Sequence, residues 1–95
     1  MHISPEEAFS LLESWREGRV SLRVHMPGQT QPVKATIREV EGTVVRLSSD
    51  LEPFQFDLHG ADFNGDARRE HSSRGAYLVC EFPSGDRYSL YVENI

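Results

Sequence analysis

Four histidines, together with the acids near them, are the side chains of this chain best suited to hold a metal ion. They are His2, His25, His59 and His71. Only His59 has a second candidate ligand close by in sequence, because Asp57 lies two residues before it and alternate residues of a strand share a face. A zinc site needs a third and usually a fourth ligand. His25 or His71 would have to supply them, and no spacing requires it, so the pattern favours solvated surface histidines and no metal site.

A second acidic segment has the beginning of a calcium-binding loop. Residues 62–66 carry oxygen-bearing side chains at alternate positions. The twelve-residue calcium loop also needs glycine at its sixth position and a bidentate acid at its twelfth, where this chain has Ala67 and Ser73. The sequence therefore predicts no calcium site, and the dipeptide Asn64-Gly65 is typical of a turn.

Cys80 is the only cysteine, so no disulfide can form within the chain. It alternates with Leu78 and Phe82, which places it in the core, and a thiol buried among apolar groups is unreactive. The sequence also lacks a Gly-x-Ser-x-Gly motif, a phosphate-binding loop and a dinucleotide-binding fingerprint. We therefore expect a non-enzymatic protein with no catalytic residues and no cofactor.

One local cluster of cations lies in the polar segment 64–74. Its arginines are Arg68, Arg69 and Arg74. They have two interpretations: a contact for a phosphate, an RNA backbone or an acidic partner, or a solvated connecting loop. The second is favoured because runs of charge usually serve only to solvate a surface.

Length and charge limit the class of protein. The 95 residues, of which 38% are hydrophobic and 26% charged, fit one globular domain over residues 1–95. The formal net charge of −5 disfavours nucleic acid as a partner, because non-specific affinity for it comes largely from cations on phosphates. No apolar run approaches the roughly 20 residues of a membrane span, and the first residues do not resemble a signal peptide. We expect a cytoplasmic protein without a membrane partner.

A helix is predicted over residues 5–17. Ser4 is a good N-cap, Glu7 completes a capping box, and Gly18 is a natural end. Apolar residues follow at helical spacing: Ala8, Leu11, Leu12 and Trp15, with Phe9 beside them. These aromatic side chains either cover the sheet or fill a groove in a partner, and covering the sheet is favoured because an exposed aromatic stripe invites aggregation.

Six strands are predicted after the helix. They lie near residues 19–26, 33–39, 43–49, 54–63, 75–82 and 86–93. A three-residue loop ending at Gly42 would pair Ile37 with Val45 and keep the apolar residues on one face. Gly60 interrupts the alternation within 54–63, which indicates a bulge or a sharp bend in that strand.

The last hairpin has apolar residues on both faces. A loop of Pro83, Ser84 and Gly85 pairs Cys80 with Tyr88 and Leu78 with Leu90 on one face. The other face carries Tyr77, Val79 and Tyr91. A strand that is apolar on both sides needs cover on both, so we expect the helix on one face and a partner on the other.

An N-terminal helix followed by five or six short, bent antiparallel strands resembles the Sm-like, or more loosely SH3-like, small β-barrels. Sm-like proteins bind RNA through one loop that carries an aspartate and a second that carries Arg-Gly. The corresponding positions here are Asp50, in a segment that lacks asparagine, and Arg74-Gly75. The resemblance implies an RNA-binding ring, with Arg68 and Arg69 as further contacts.

Arg19 and Arg23 have the Arg-x-x-x-Arg spacing with which PilZ domains bind a cyclic dinucleotide. The later Asp/Asn-x-Ser-x-x-Gly segment of those domains has no counterpart in this chain. Two outward-facing residues of one strand would have the same spacing, and that interpretation is favoured.

The sequence therefore predicts a mainly β domain, in which an N-terminal helix precedes a small antiparallel barrel or strongly bent sheet of five to six strands. The leading functional hypothesis is a binding or assembly module that associates with itself or with another protein through Tyr77, Val79 and Tyr91. An Sm-like RNA-binding ring and a cyclic-dinucleotide sensor stay open as alternatives.

Overall fold

The structure is a computed structural model that describes residues 2–50, 52–65 and 76–93. Within these ranges the chain forms one helix and eight strands, which confirms the predicted mainly β class with an N-terminal helix. The elements are β1 His2–Ile3, α1 Pro5–Glu17, β2 Leu22–His25, β3 Val33–Glu41, β4 Val44–Ser49, β5 Phe54–Asp57, β6 Asp62–Gly65, β7 Tyr77–Glu81 and β8 Arg87–Val92. No helix formed by the described residues is long and apolar enough to cross a membrane.

The helix has the predicted boundaries, and its caps explain them. The Oγ of Ser4 accepts a hydrogen bond from the backbone N–H of Glu7 at 3.1 Å, and Glu7 Oε1 accepts one from the backbone N–H of Ser4 at 3.3 Å. At the other end the N–H of Gly18 donates to the carbonyl of Ser14. The four residues of the apolar stripe are buried, and Trp15 is fully enclosed, so the helix covers the sheet as predicted.

All strands pair antiparallel in one open sheet, in the order β1-β6-β7-β8-β2-β3-β4-β5. The described part of the chain has more strands than predicted for two reasons. His2 and Ile3 form an additional short strand against β6, and the predicted strand 54–63 is two strands. Gly60, with φ +81°, lies in a turn between them rather than in a bulge, and β5 and β6 lie near opposite edges of the sheet.

The register predicted between β3 and β4 is wrong, because β3 contains a bulge that the predicted constant alternation did not include. The loop between β3 and β4 has two residues, Gly42 and Thr43, with Glu41 opposite Val44. Gly42 has φ +59° and Thr43 does not have a positive φ, which fits a type II′ hairpin turn. A register shift between Ile37 and Glu39 then places Ile37 opposite Leu47 instead of Val45.

The register predicted for the last hairpin, between β7 and β8, is confirmed. Cys80 lies opposite Tyr88 and Leu78 opposite Leu90. The backbone N–H of Phe82 donates to the carbonyl of Asp86 at 2.9 Å, and Gly85 has φ +96° at the end of the three-residue loop.

The sheet is strongly curved, and its inner face forms the core. Phe56 on β5 and Tyr88 on β8 stack with ring centroids 4.6 Å apart. Their strands are four positions apart in the sheet, which would separate them by about 19 Å if it were flat. Helix α1 packs against β3 and β6, where Phe9 meets Phe63 edge to face at 5.7 Å. The curved sheet and the helix together enclose the apolar side chains.

Two predictions about the polar stretch after residue 61 have different outcomes. Asn64 and Gly65 belong to β6, so the predicted turn at this dipeptide is wrong. Gly65 is needed because a Cβ there would lie 2.7 Å from the carbonyl oxygen of Tyr77 on the paired strand. The remainder of the predicted loop, residues 66–74, lies outside the described residues.

Candidate interaction surface

The sheet face opposite the helix brings together the three apolar residues that the sequence placed on a second face. Tyr77 on β7 lies directly opposite Tyr91 on β8, and their rings stack with centroids 6.3 Å apart and planes at 28°. Val79 lies two residues along β7, on the same face, opposite Ser89. We call Tyr77, Val79 and Tyr91 the tyrosine patch.

The tyrosine patch is the most exposed apolar part of the described structure. Tyr91 is 41% exposed, the highest value for any large hydrophobic residue in the described ranges, while Tyr77 and Val79 are half-buried. His25 on β2 meets the Tyr91 ring edge to face, with centroids 5.7 Å apart. The rings therefore stand in a fixed arrangement on the surface, which lowers the entropy lost when another surface covers them.

A basic group flanks the patch on the side of β2 and β3. Arg23 lies opposite Tyr91, and Lys34 lies opposite Arg23 on the next strand. Both approach the carboxylate of Glu93, at 3.4 and 3.9 Å, and the Ser21 hydroxyl also donates to it. Two cations thus share one carboxylate, and a shallow depression of about 430 Å³ lies beside it, lined also by His25 and Tyr91.

An acidic group flanks the patch on the opposite side. Asp62 on β6 lies directly opposite Glu81 on β7, so two carboxylates are neighbours on one face. Arg87 on β8 pairs with Glu81 at 3.3 Å. The acidic group therefore has two carboxylates and one cation, whereas the basic group has two cations and one carboxylate.

The sequence could not reveal this arrangement of charges. The basic group depends on the pairing of β2 with β8, which joins residues far apart in the chain, and the acidic group depends on the pairing of β6 with β7. The alternation of polar and apolar residues indicates which face a side chain occupies, but not which strands are neighbours.

The predicted cationic sites have two different outcomes. Arg68, Arg69 and Arg74, the predicted contacts for an anion or RNA, lie outside the described residues. Arg19 precedes β2 in a turn, with φ +51°, whereas Arg23 is on the strand and paired with Glu93. The premise that Arg19 and Arg23 are two residues of one strand is therefore wrong.

The other candidate residues have structural roles. Asp57 Oδ1 accepts hydrogen bonds from the Thr43 hydroxyl at 2.6 Å and from the backbone N–H of His59 at 2.9 Å. These bonds, that of Thr43 first, lower the pKa of the Asp57 carboxyl. Within the described ranges no three His, Cys, Asp or Glu side chains cluster as metal ligands would. Cys80 is buried as predicted, and burial raises the pKa of its thiol to about 12.

A second groove, of about 600 Å³, lies between β3, β4 and β5. Its most prominent charge is Arg46, whose Nη1 contacts carboxylate oxygens of Glu39 and Glu41 at 3.0 and 2.9 Å. The Arg46 guanidinium is thereby neutralised from within the chain, and Arg38 is the other cation that lines the groove.

Comparison with known proteins adds no functional information. The chain matches no protein-family model, no curated protein and no solved structure.

Proposed function

We propose that this domain is a non-enzymatic assembly module that associates with itself through the tyrosine patch. The observation that carries the proposal is the Tyr77–Tyr91 pair, whose stacked rings lie on an otherwise polar sheet face with no described element of the chain over Tyr91. The helix covers only the opposite face, against β3 and β6. Aromatic residues of this kind dominate the energetics of protein interfaces because each removes a large apolar area from water.

The tyrosine patch alone is too small to form a stable interface. An aromatic side chain buries about 150–250 Å² when fully covered, and a stable interface needs about 1,200–2,000 Å² in total. Tyr77 is already half-buried, so the patch from two copies supplies only the centre of such an interface. The surrounding charged groups would have to form its rim, and we expect a reversible dimer rather than an obligate one.

Sedimentation velocity or light scattering over a range of protein concentrations tests the proposal. We expect wild-type protein to form dimers as the concentration rises and Tyr91→Ser to shift that equilibrium towards monomer by at least about tenfold, because the most exposed apolar ring is lost. Gln55→Ser is a matched control, since Gln55 is an exposed residue on the distant edge strand β5. A wild-type protein that stays monomeric at high concentration, or a dimer unaffected by Tyr91→Ser, contradicts the proposal.

A second candidate function is binding of single-stranded RNA on the same face. It is favoured by one observation: the rings of Tyr91 and His25 lie beside Arg23 and Lys34, and aromatic rings with adjacent cations bind stacked bases. Two observations argue against RNA binding: Glu93 pairs with both cations, and the net charge of the chain is −5. Oligonucleotide binding by fluorescence anisotropy in about 50 mM and 200 mM salt distinguishes the two, since affinity that depends on phosphate contacts falls steeply with salt. No binding in low salt excludes the RNA function.

A further inference from the structure

The charged residues around the tyrosine patch are arranged symmetrically about Ser89. In the order β6-β7-β8-β2-β3, Ser89 lies on the middle strand, opposite Val79 on one side and His25 on the other. Glu81 lies two residues beyond Val79, and Arg23 lies two residues before His25. Strands β7 and β2 are both antiparallel to β8, so they run in the same direction. Along that direction Glu81 lies two residues after the level of Ser89, and Arg23 lies two residues before it.

The next strand on each side repeats this relationship. Asp62 on β6 lies opposite Glu81, and Lys34 on β3 lies opposite Arg23. The two carboxylates and the two cations therefore lie on opposite sides of Ser89, at matching numbers of strands and residues from it. Ser89 itself has a small side chain and is only 8% exposed.

This part of the surface also has no net charge, although the protein as a whole is acidic. In the described structure it carries three carboxylates and three cations: Asp62, Glu81, Glu93, Arg23, Lys34 and Arg87. Their formal charges cancel, whereas the whole chain has a formal charge of −5. Two copies would repel each other over most surfaces, but that repulsion is absent where these faces meet.

We infer that the partner on this face is a second copy of the chain, related by a two-fold axis that passes near Ser89 and runs obliquely across the strands. The inference rests on the proposed function and adds the arrangement of the dimer. The axis places Glu81 of each copy over Arg23 of the other, so that this ion pair forms twice in one interface. Such a self-complementary contact is what a closed dimer requires.

The same axis brings the apolar residues into contact. With strands about 4.8 Å apart and about 6.8 Å between alternate residues, it sets Tyr91 of one copy close to Val79 of the other. The tyrosine patch then forms the dehydrated centre of the interface and the ion pairs form its rim, which is the usual division of an interface.

Mixing two charge-reversal variants tests the arrangement. Arg23→Glu alone places like charges opposite each other at both symmetric contacts, and so does Glu81→Arg. We expect each variant alone to dimerise at least about tenfold more weakly than wild type. In an equimolar mixture each contact between the two different chains pairs a carboxylate with a guanidinium, so a heterodimer of near wild-type affinity should form in sedimentation velocity or native mass spectrometry.

Mixing leaves the contacts within each monomer unchanged, so recovery on mixing reports the interface alone. Arg23→Asp with Glu81→Lys is a second pair for the same experiment if circular dichroism shows that one of the first variants does not fold. A wild-type dimer that depends on Tyr91 but shows no recovery in either mixture overturns the two-fold arrangement while leaving self-association intact. A wild-type monomer overturns the proposed function itself.

Discussion

Phe56 and Tyr88 are in ring contact although three strands, β2, β3 and β4, separate β5 from β8 in the sheet. The contact joins the two halves of the sheet across its inner side and reports the curvature directly. Phe54 stacks on Phe56 and Phe82 meets Tyr88 edge to face, so the pair lies within a cluster of four rings at one end of the core.

A double-mutant cycle measures whether this contact holds the sheet in its curved form. Phe56→Leu and Tyr88→Leu should each destabilise the fold, and together they should be less harmful than the sum, with a coupling energy of about 0.5–1.5 kcal/mol. Urea unfolding followed by circular dichroism gives the free energies. Phe63→Leu with Tyr88→Leu is the matched control, because Phe63 packs on Phe9 instead, and that pair should show no coupling. Equal coupling in both cycles contradicts a specific contact between β5 and β8.

Local signals predicted part of the fold well. The capping box at Ser4 and the three-residue loop ending at Gly85 act within a few residues, and both the helix boundaries and the β7–β8 register follow the prediction. The placement of Cys80 in the core follows from that register, as does the position of Tyr77, Val79 and Tyr91 on one outer face.

The errors occur where distant contacts decide the structure. The extra residue at the bulge near Arg38 moves the inward face of β3 from Ile37 to Val40, so counting residues across Gly42 with a constant period of two gives the wrong partners. Strand β1 has two residues, too few for any period. The charged groups beside the patch arise from the pairing of β8 with β2 and of β6 with β7, which no local pattern specifies.

Gly65 should be less tolerant of substitution than Gly42, for a different physical reason. A Cβ on Gly42 meets nothing within 4 Å, so Gly42→Ala costs only the positive φ of the turn, about 1–3 kcal/mol. A Cβ on Gly65 would lie 2.7 Å from the backbone oxygen of Tyr77 and 3.3 Å from Leu78, so β6 and β7 must separate. We expect Gly65→Ala to lower the free energy of unfolding more than Gly42→Ala does, in parallel urea titrations. The opposite ranking would show that the two strands separate easily.

Ser4 should contribute more to stability than another exposed serine of the same helix. Ser4→Ala removes the acceptor for the Glu7 backbone N–H and should cost about 1 kcal/mol. Ser10→Ala places a better helix former at an exposed position within the helix, so we expect no loss of stability. Thermal unfolding of the two variants provides the comparison, and equal melting temperatures would argue against the cap.

Cys80 should react with alkylating reagents only when the protein unfolds. Because burial raises the pKa of its thiol from 9.0 to about 12, almost none of it is ionised near pH 8, and the side chain is enclosed. Iodoacetamide should therefore modify native protein slowly and urea-unfolded protein rapidly, as followed by mass spectrometry. Fast modification of the native state would place the thiol at the surface.

The raised pKa of Cys80 also makes a prediction about alkaline pH. The unfolded state loses the thiol proton near pH 9.0 while the folded state keeps it until about pH 12. The unfolded state therefore binds fewer protons in this window, and stability falls as the pH rises through it. Cys80→Ala lacks this titration, so its stability, although lower at pH 7 because of the cavity, should fall less steeply between pH 9 and 12 than that of wild type. Parallel slopes for the two proteins in urea titrations would contradict the raised pKa.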